Sequence, residues 1–446
     1  MHALLLVALL GAAAPSAERP IALTGATIVD VSASGTKTAD IRDAVVVIRG
    51  NEIIAAGPRR KTKIPADARI IRADGAYIVP GLNDVFAGLN SQAQANAYLY
   101  MGVTSIVGSD EPGPRGRRGA LMMNAAPSPR VRRLGFIHGL KEGAGGEWTE
   151  RTTAEVGAQI DEVVAEGAKV LLLHYRLTPA HVRLAVARAR ELGLATIGEL
   201  GRTTYTEGIE LGIDAFVHTR RYSLELASPE LRAAVAKEPF GPARTTYYEY
   251  LAAIDPDAPV VKAWAARIAG SRVALIPTLA MSWLDLPQHD NPWKEEIAAI
   301  LDPAGIHLPA DRETGAWKQD PGIPAGSSAN LFRVEERFAR AGARYLAGSG
   351  SSAFGTLPGI SLHRELSILT GFGLTPRQAL AAATSNVGEV FHWPRVGQVR
   401  KGFDADLLVL DADPTRDIAN LKKIRMVIKD GSIVDREALR KMPAKQ

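Results

Sequence analysis

Apolar and polar positions change rhythm twice along this chain of 446 residues. Towards the N-terminal end they alternate in short runs, the period of half-buried strands. This predicts strands over residues 21–29, 44–49, 52–56 and 69–73. Gly50-Asn51 sits between two alternating runs and signals a hairpin. A buried strand over 77–79 is cut by Pro80-Gly81, and another strand follows into an open loop near Leu89. Further strands are expected over 406–410 and 424–429, with Asp430-Gly431 as the next turn. Two strand-rich ends suggest one small β-sandwich assembled from both.

Between the ends the pattern is strand, then helix, repeated. Short strands are expected over 104–107, 134–137, 194–197, 215–217 and 344–347. The run 170–173 is wholly apolar, as in a strand buried on both faces. Val156, Ile160, Val163 and Val164 give residues 153–168 one apolar helical face. Thr178-Pro179 and Thr375-Pro376 each place a capping residue before a proline at the first helical position, and Gly193 ends the first of these helices. This alternation predicts a parallel barrel. From 220 to 330 the rhythm breaks into prolines, long helices and loops, with one barrel strand over 274–278. Trp264, Trp283, Trp293 and Trp317 fall in this stretch, either as a lid over the barrel mouth or as packing for an insertion.

The expected organisation is therefore an α/β fold, a (β/α)8 TIM barrel over 80–395 with a Pro- and Trp-rich insertion at 220–330. The β-sandwich comprises 18–79 and 396–437. Composition fits that size: 46% of residues are hydrophobic and 23% charged, enough for a large core. The net charge of +5 is spread among mixed signs, which gives no reason to expect a nucleic-acid partner. The absence of cysteine rules out disulfides, thiolate metal sites and thiol nucleophiles. Residues 1–17 hold a short apolar run followed by small residues, the form of a signal peptide, although no Lys or Arg precedes it. A periplasmic or secreted protein is expected. No later run is long and apolar enough to span a bilayer.

The stretch Ile78-Val-Pro-Gly-Leu-Asn-Asp-Val-Phe-Ala-Gly-Leu89 resembles the signature of the metal-dependent amidohydrolase superfamily. Residues 373–386 are similar to that family's last barrel helix, and 397–414 to its return into the sandwich. The wording of these motifs is nearest the imidazolonepropionase- and prolidase-like branch. The resemblance implies a C–N (amide-type) hydrolase with one or two divalent metals held at the C-terminal ends of the strands. This chain departs from that pattern position by position. The His-x-His pair of the first strand falls on Phe86 and Gly88, the bridging Lys on Leu172, and the proton-accepting Asp of the last strand on Gly350. The fifth-strand His falls on Glu199; the sixth-strand His is kept as His218. No histidine occurs from residue 3 to 137, so a shifted alignment restores nothing.

Possible replacements are His174, two residues beyond Leu172 and on the same side of its strand, His138 after the third strand, and Asp110 after the second. The expected catalytic candidates are Glu199, His218 and His174. The expected pocket holds His138, Asp110, Phe86, Gly88, Leu172 and Gly350. No metal ligand set and no cofactor are predicted, although a rebuilt site would admit one divalent ion. Three readings stay open: a hydrolase of divergent mechanism, a non-catalytic protein that binds a small molecule or a partner, and a metal-free acid–base enzyme using His218 and Glu199. A small-molecule ligand or substrate is expected, and a homo-oligomer is compatible with the chain. Asp84, His363 and Glu365 read as structural, and the basic residues at 115–119 with Arg130, Arg132 and Arg133 as a solvated loop or an anion site.

Overall fold

The computed structural model describes residues 19–108, 127–143, 146–230, 232–233, 251–316 and 326–441. Strands β1 (Ile21–Ile28), β2 (Ile41–Arg49), β3 (Glu52–Pro58), β4 (Arg69–Arg72) and β5 (Tyr77–Pro80) come from the N-terminal end. The barrel strands follow as β6 (Leu82–Ala87), β7 (Val103–Gly108) and β8 (Arg130–Ile137). A small hairpin of β9 (Leu140–Glu142) and β10 (Trp148–Glu150) projects after β8. The barrel resumes with β11 (Ala168–Leu173), β12 (Ala195–Gly198), β13 (Ala215–Val217), β14 (Ala274–Ile276) and β15 (Arg344–Tyr345). The chain then returns to the first sheet as β16 (Leu407–Leu410), β17 (Ile424–Lys429) and β18 (Ser432–Ile433).

The two ends of the chain form one branched sheet in the order β18-β17-β16-β5-β1-β2-β3, with β4 also paired to β1. One face of it feeds a single core containing Leu23, Val46, Ile53, Ile78, Leu407 and Ile428. The expected sandwich is thus one continuous sheet folded around its own core. Both expected turns form: Gly50 (φ 53) joins β2 to β3, and Asp430 (φ 48) with Gly431 (φ 75) joins β17 to β18.

Strands β6, β7, β8 and β11 to β15 form the second eight-stranded sheet, with all neighbouring pairs parallel. The sheet closes on itself beyond β15. Val85 N–H donates to Ala347 O at 3.0 Å, Gly350 N–H donates to Phe86 O at 2.8 Å, and Ala87 bridges Ser351. Strand alternation divides the side chains into two cores. Val85, Val107, Val170, Leu172, Ile197, Val217 and Ile276 fill the barrel interior. Ile106, Leu171, Leu173, Phe216 and Leu275 face the surrounding helices. Burying one such side chain contributes roughly 1.5–3 kcal/mol.

The helices start where the sequence places them. Thr178 accepts from His181 N–H before the helix Pro179–Glu191, and Thr375 accepts from Gln378 N–H before Pro376–Ala382. Each cap is worth about 1 kcal/mol. The helix expected to reach residue 168 is Thr153–Ala165; Gly167, at φ 94, turns the chain into β11. In the stretch 220–330 the described helices are shorter than expected. They include Pro259–Ala269, Ala280–Trp283 and a series of 3-10 turns whose Trp293, Ile297 and Ile300 pack on Ala97, Met101 and Ile360. Prolines at 277, 287, 292 and 303 interrupt any longer helical ladder. Trp264 and Trp293 are buried and Trp283 partly so, which makes them packing residues; Trp317 lies outside the described residues.

Candidate functional site at the barrel mouth

The C-terminal strand ends converge on one mouth, the usual place for chemistry in this architecture. His174 follows β11 and its ring centroid lies 4.8 Å from that of His138, which follows β8. Leu172 lies in the barrel interior, so the inward direction expected for His174 holds one step higher. Tyr175 stacks beside His174 at 3.9 Å. The Arg221 guanidinium lies 4.2 Å from the centre of the Tyr175 ring and forms an ion pair with Glu199, the residue after β12. Glu199 N–H donates to Leu173 O at 2.9 Å, which fixes its backbone beside the end of β11. Arg221 thereby joins Glu199 to the His174 side of the mouth.

Burial, then His138, Arg221 and Arg176, lowers the His174 pKa from 6.5 to about 2. His138 is lowered in the same direction by burial, Arg151 and Arg176. A histidine held so far below neutrality is a weak proton acceptor, so His174 is better suited to hydrogen bonding than to taking a proton. Its Nδ1 has no hydrogen-bond partner among the described residues.

His218 is buried one residue past β13, at φ 63 and ψ 98. Its Nδ1 lies 2.8 Å from Thr278 Oγ1, beyond β14, and Thr278 is itself at φ 53. Left-handed backbone at two non-glycine residues, one of them β-branched, costs roughly 1–3 kcal/mol each and is found mainly at functional sites. Phe86 meets the His218 ring edge-on at 4.9 Å.

The opposite side of the mouth is filled. A Cβ at Gly350, where φ is 69, would lie 2.3 Å from Met281 Sδ, and one at Gly88 would lie 3.3 Å from Ser351 O. On β11, below His174, Leu172 is fully buried among aliphatic side chains, surroundings in which a charged lysine would be costly. Asp84 is also fully buried. It accepts from Ser349 N–H at 2.9 Å and from Ser349 Oγ–H at 2.5 Å, so it ties β6 to the closing segment of the barrel. Burial raises its pKa from 3.8 to about 7, against the lowering effect of these bonds. Among the described residues no group of three or more His, Asp or Glu side chains could hold a metal ion. Asp110 and residues 115–119 lie outside the described residues.

Residues expected to be structural are engaged as such. His363 Nε2 lies 2.8 Å from Met101 O, and Glu365 accepts from Ala280 N–H at 2.7 Å. Arg130 and Arg132 are on β8 and not in a solvated loop. Arg130 pairs with Asp404, Asp406 and Asp430 across to the first sheet, and Arg132 packs 4.2 Å over the Trp393 ring. A cavity of about 620 Å³ opens on the barrel flank, lined by Trp283, Asp290, Glu295, Arg364 and Lys422. Four of its charged residues pair, Arg364 with Asp290 and Lys422 with Glu295.

Sequence reasoning missed Arg221, Tyr175, Thr278 and Met281. Arg221 had a readable signal, since it stands three residues after His218 on a one-turn helix. Met281 had none, because its approach to Gly350 joins positions far apart in the chain.

A family model, the amidohydrolase family, matches residues 294–434. No curated protein matches the chain. Its fold is similar to that of a putative prolidase from Bifidobacterium longum, at 20% identity and a TM-score of 0.61, covering 95% of this chain and 98% of the other. Molinate hydrolase is similar at 15% identity and a TM-score of 0.63, covering 96% and 99%. A bottromycin amidohydrolase is similar at 17% identity and a TM-score of 0.63, covering 94% and 88%.

Proposed function

We propose that this chain, a protein of the amidohydrolase superfamily, hydrolyses a C–N bond of amide type in a small molecule without the family's standard two-metal centre. The observation that carries this reading is the divided mouth. Titratable side chains gather at the ends of β8, β11, β12 and β13, while Met281 occupies the space that a side chain at position 350 would need. In the reaction, water adds to the amide carbonyl, its proton passes to a base, and the amine leaves with a proton. His218 is the candidate base, and Glu199, held by Arg221, is the candidate for orienting the attacking water or the leaving nitrogen. His174 and His138, kept neutral, are candidates for hydrogen bonding to the substrate. The N-terminal segment, outside the described residues, supports export as part of the same proposal.

The test pairs metal content with turnover. Protein produced in metal-supplemented medium is expected to carry well under one equivalent of Zn, Mn, Fe or Ni. It should also hydrolyse members of a panel of N-acyl amino acids, dipeptides and aryl amides in the presence of a chelator. Stoichiometric metal that is required for turnover would replace this reading with a rebuilt metal site. A folded, metal-free protein that binds panel members and turns none over would favour a binding role.

A further inference from the structure

Strands β13 and β14 are parallel neighbours, paired through Ala215 with Ala274 and Val217 with Ile276. Just past their ends stand His218 and Thr278, both left-handed and joined side chain to side chain at 2.8 Å. Thr278 has one hydroxyl hydrogen and two acceptors in reach, Pro277 O at 2.7 Å and His218 Nδ1 at 2.8 Å. Neighbouring bonds decide between them. The Pro277 carbonyl's contacts with Thr219 N–H and Oγ1 are long, both at 3.4 Å. Thr219 spends its own hydroxyl hydrogen on the Glu335 carboxylate at 2.7 Å. A buried carbonyl needs a donor at normal distance, and Thr278 supplies it. The Thr278 oxygen is then left as an acceptor towards His218.

We infer that Thr278 is a positioning residue that holds His218 in the tautomer protonated on Nδ1, making Nε2 the basic nitrogen. The inference rests on the reading of His218 as the base, since that tautomer gives the base its direction. A second ring nitrogen fixed by a hydrogen bond is the general means by which a histidine is oriented for chemistry. The strain at both residues has a physical role here. It turns His218 off the alternation of β13 and brings the Thr278 hydroxyl to its Nδ1.

The test is long-range 1H–15N correlation NMR on histidine-labelled protein, with H218A to identify the His218 signals. The wild type is expected to show Nδ1 protonated and Nε2 unprotonated. T278V removes the acceptor and should shift His218 towards the Nε2–H form, while T278S, which keeps the hydroxyl, should keep the wild-type pattern. On any amide substrate turned over, T278V should lower kcat at least tenfold with little change in KM, and T278S should restore most of it. Far-UV circular dichroism of both variants checks that they fold. An Nε2–H tautomer in the wild type, or an unchanged His218 spectrum in folded T278V, would overturn the inference. If the spectra behave as expected and no amide is ever hydrolysed, the hydrolase reading fails while the tautomer assignment stands.

Discussion

The two sides of the barrel mouth have been built to opposite ends. Around β8, β11, β12 and β13 the strand ends carry His138, His174, Glu199 and His218, with Arg221 and Tyr175 reaching in from the following turns. Around β15 and β6 they carry Phe86, Gly88 and Gly350, with Met281 packed over the last. That second side closes the barrel, and its buried carboxylate Asp84 is spent on Ser349. The same eight-stranded frame thus gathers titratable side chains on one side and packs a seam on the other. A barrel mouth cannot be judged by its fold; each strand end has to be read separately.

Substitutions on the two sides should fail in different ways. The largest effect is expected at His218. H218A should lower kcat/KM by about 10²–10⁴-fold, the range for losing an acid–base group, while chemical denaturation shows stability little changed. Full activity in H218A would remove the distinction. D84A on the seam should do the reverse. It leaves the Ser349 N–H buried without its acceptor, while the Ser349 hydroxyl can still turn to Ser351 Oγ at 2.7 Å, for a loss of roughly 2–3 kcal/mol in stability by urea titration. A wild-type midpoint in D84A would show that the seam does not depend on this carboxylate.

Stability against pH should separate the two environments further. His174 has its pKa lowered from 6.5 to about 2 on folding. Its contribution is present above pH 6.5 and is lost as pH falls towards 2, by about 1.4 kcal/mol per unit at most. Glu365, beneath the Met281 helix, has its pKa raised by burial from 4.5 to about 8, with one oxygen accepting from Ala280 N–H. Its contribution is present below pH 4.5 and is lost as pH rises towards 8, again by about 1.4 kcal/mol per unit at most. Replacing Glu365 by Gln should therefore flatten the alkaline side of the stability profile, and replacing His174 by Asn the acidic side. Denaturation at pH 5, 6.5 and 8 reads both slopes. Unaltered slopes would mean that neither group changes its proton affinity on folding.

The smallest effect is expected at Gly350. G350A places a Cβ against Met281 at φ 69 and should lose about 1–3 kcal/mol. In an M281A background the same change should cost less, because only the backbone strain remains. Equal losses in both backgrounds would show that Met281 does not fill that space.

Much of this protein was readable along the chain. Short apolar runs bounded by turns marked the strands of the first sheet, Thr-Pro pairs marked helix starts, and the fully apolar 170–173 marked a strand buried on both faces. The candidate site was readable only in part. The expectation for His174 followed from the strand direction of Leu172, and its ring lies against that of His138. His218 could be located but not oriented, because its left-handed backbone breaks the strand period. Arg130 and Arg132 were misread as loop cations because their acidic and aromatic partners lie more than 260 positions further on.

The sequence alone determined the periods, the caps, the turns and which side chains at the strand ends could carry chemistry. Those properties depend on neighbours within a few residues, where backbone geometry is nearly fixed. Tertiary structure decided that Arg221 holds Glu199, that Thr278 meets His218, and that Met281 lies over Gly350. Each of these contacts joins separate strand ends. Their geometry follows from barrel closure and from left-handed residues at the mouth, and no local pattern encodes either.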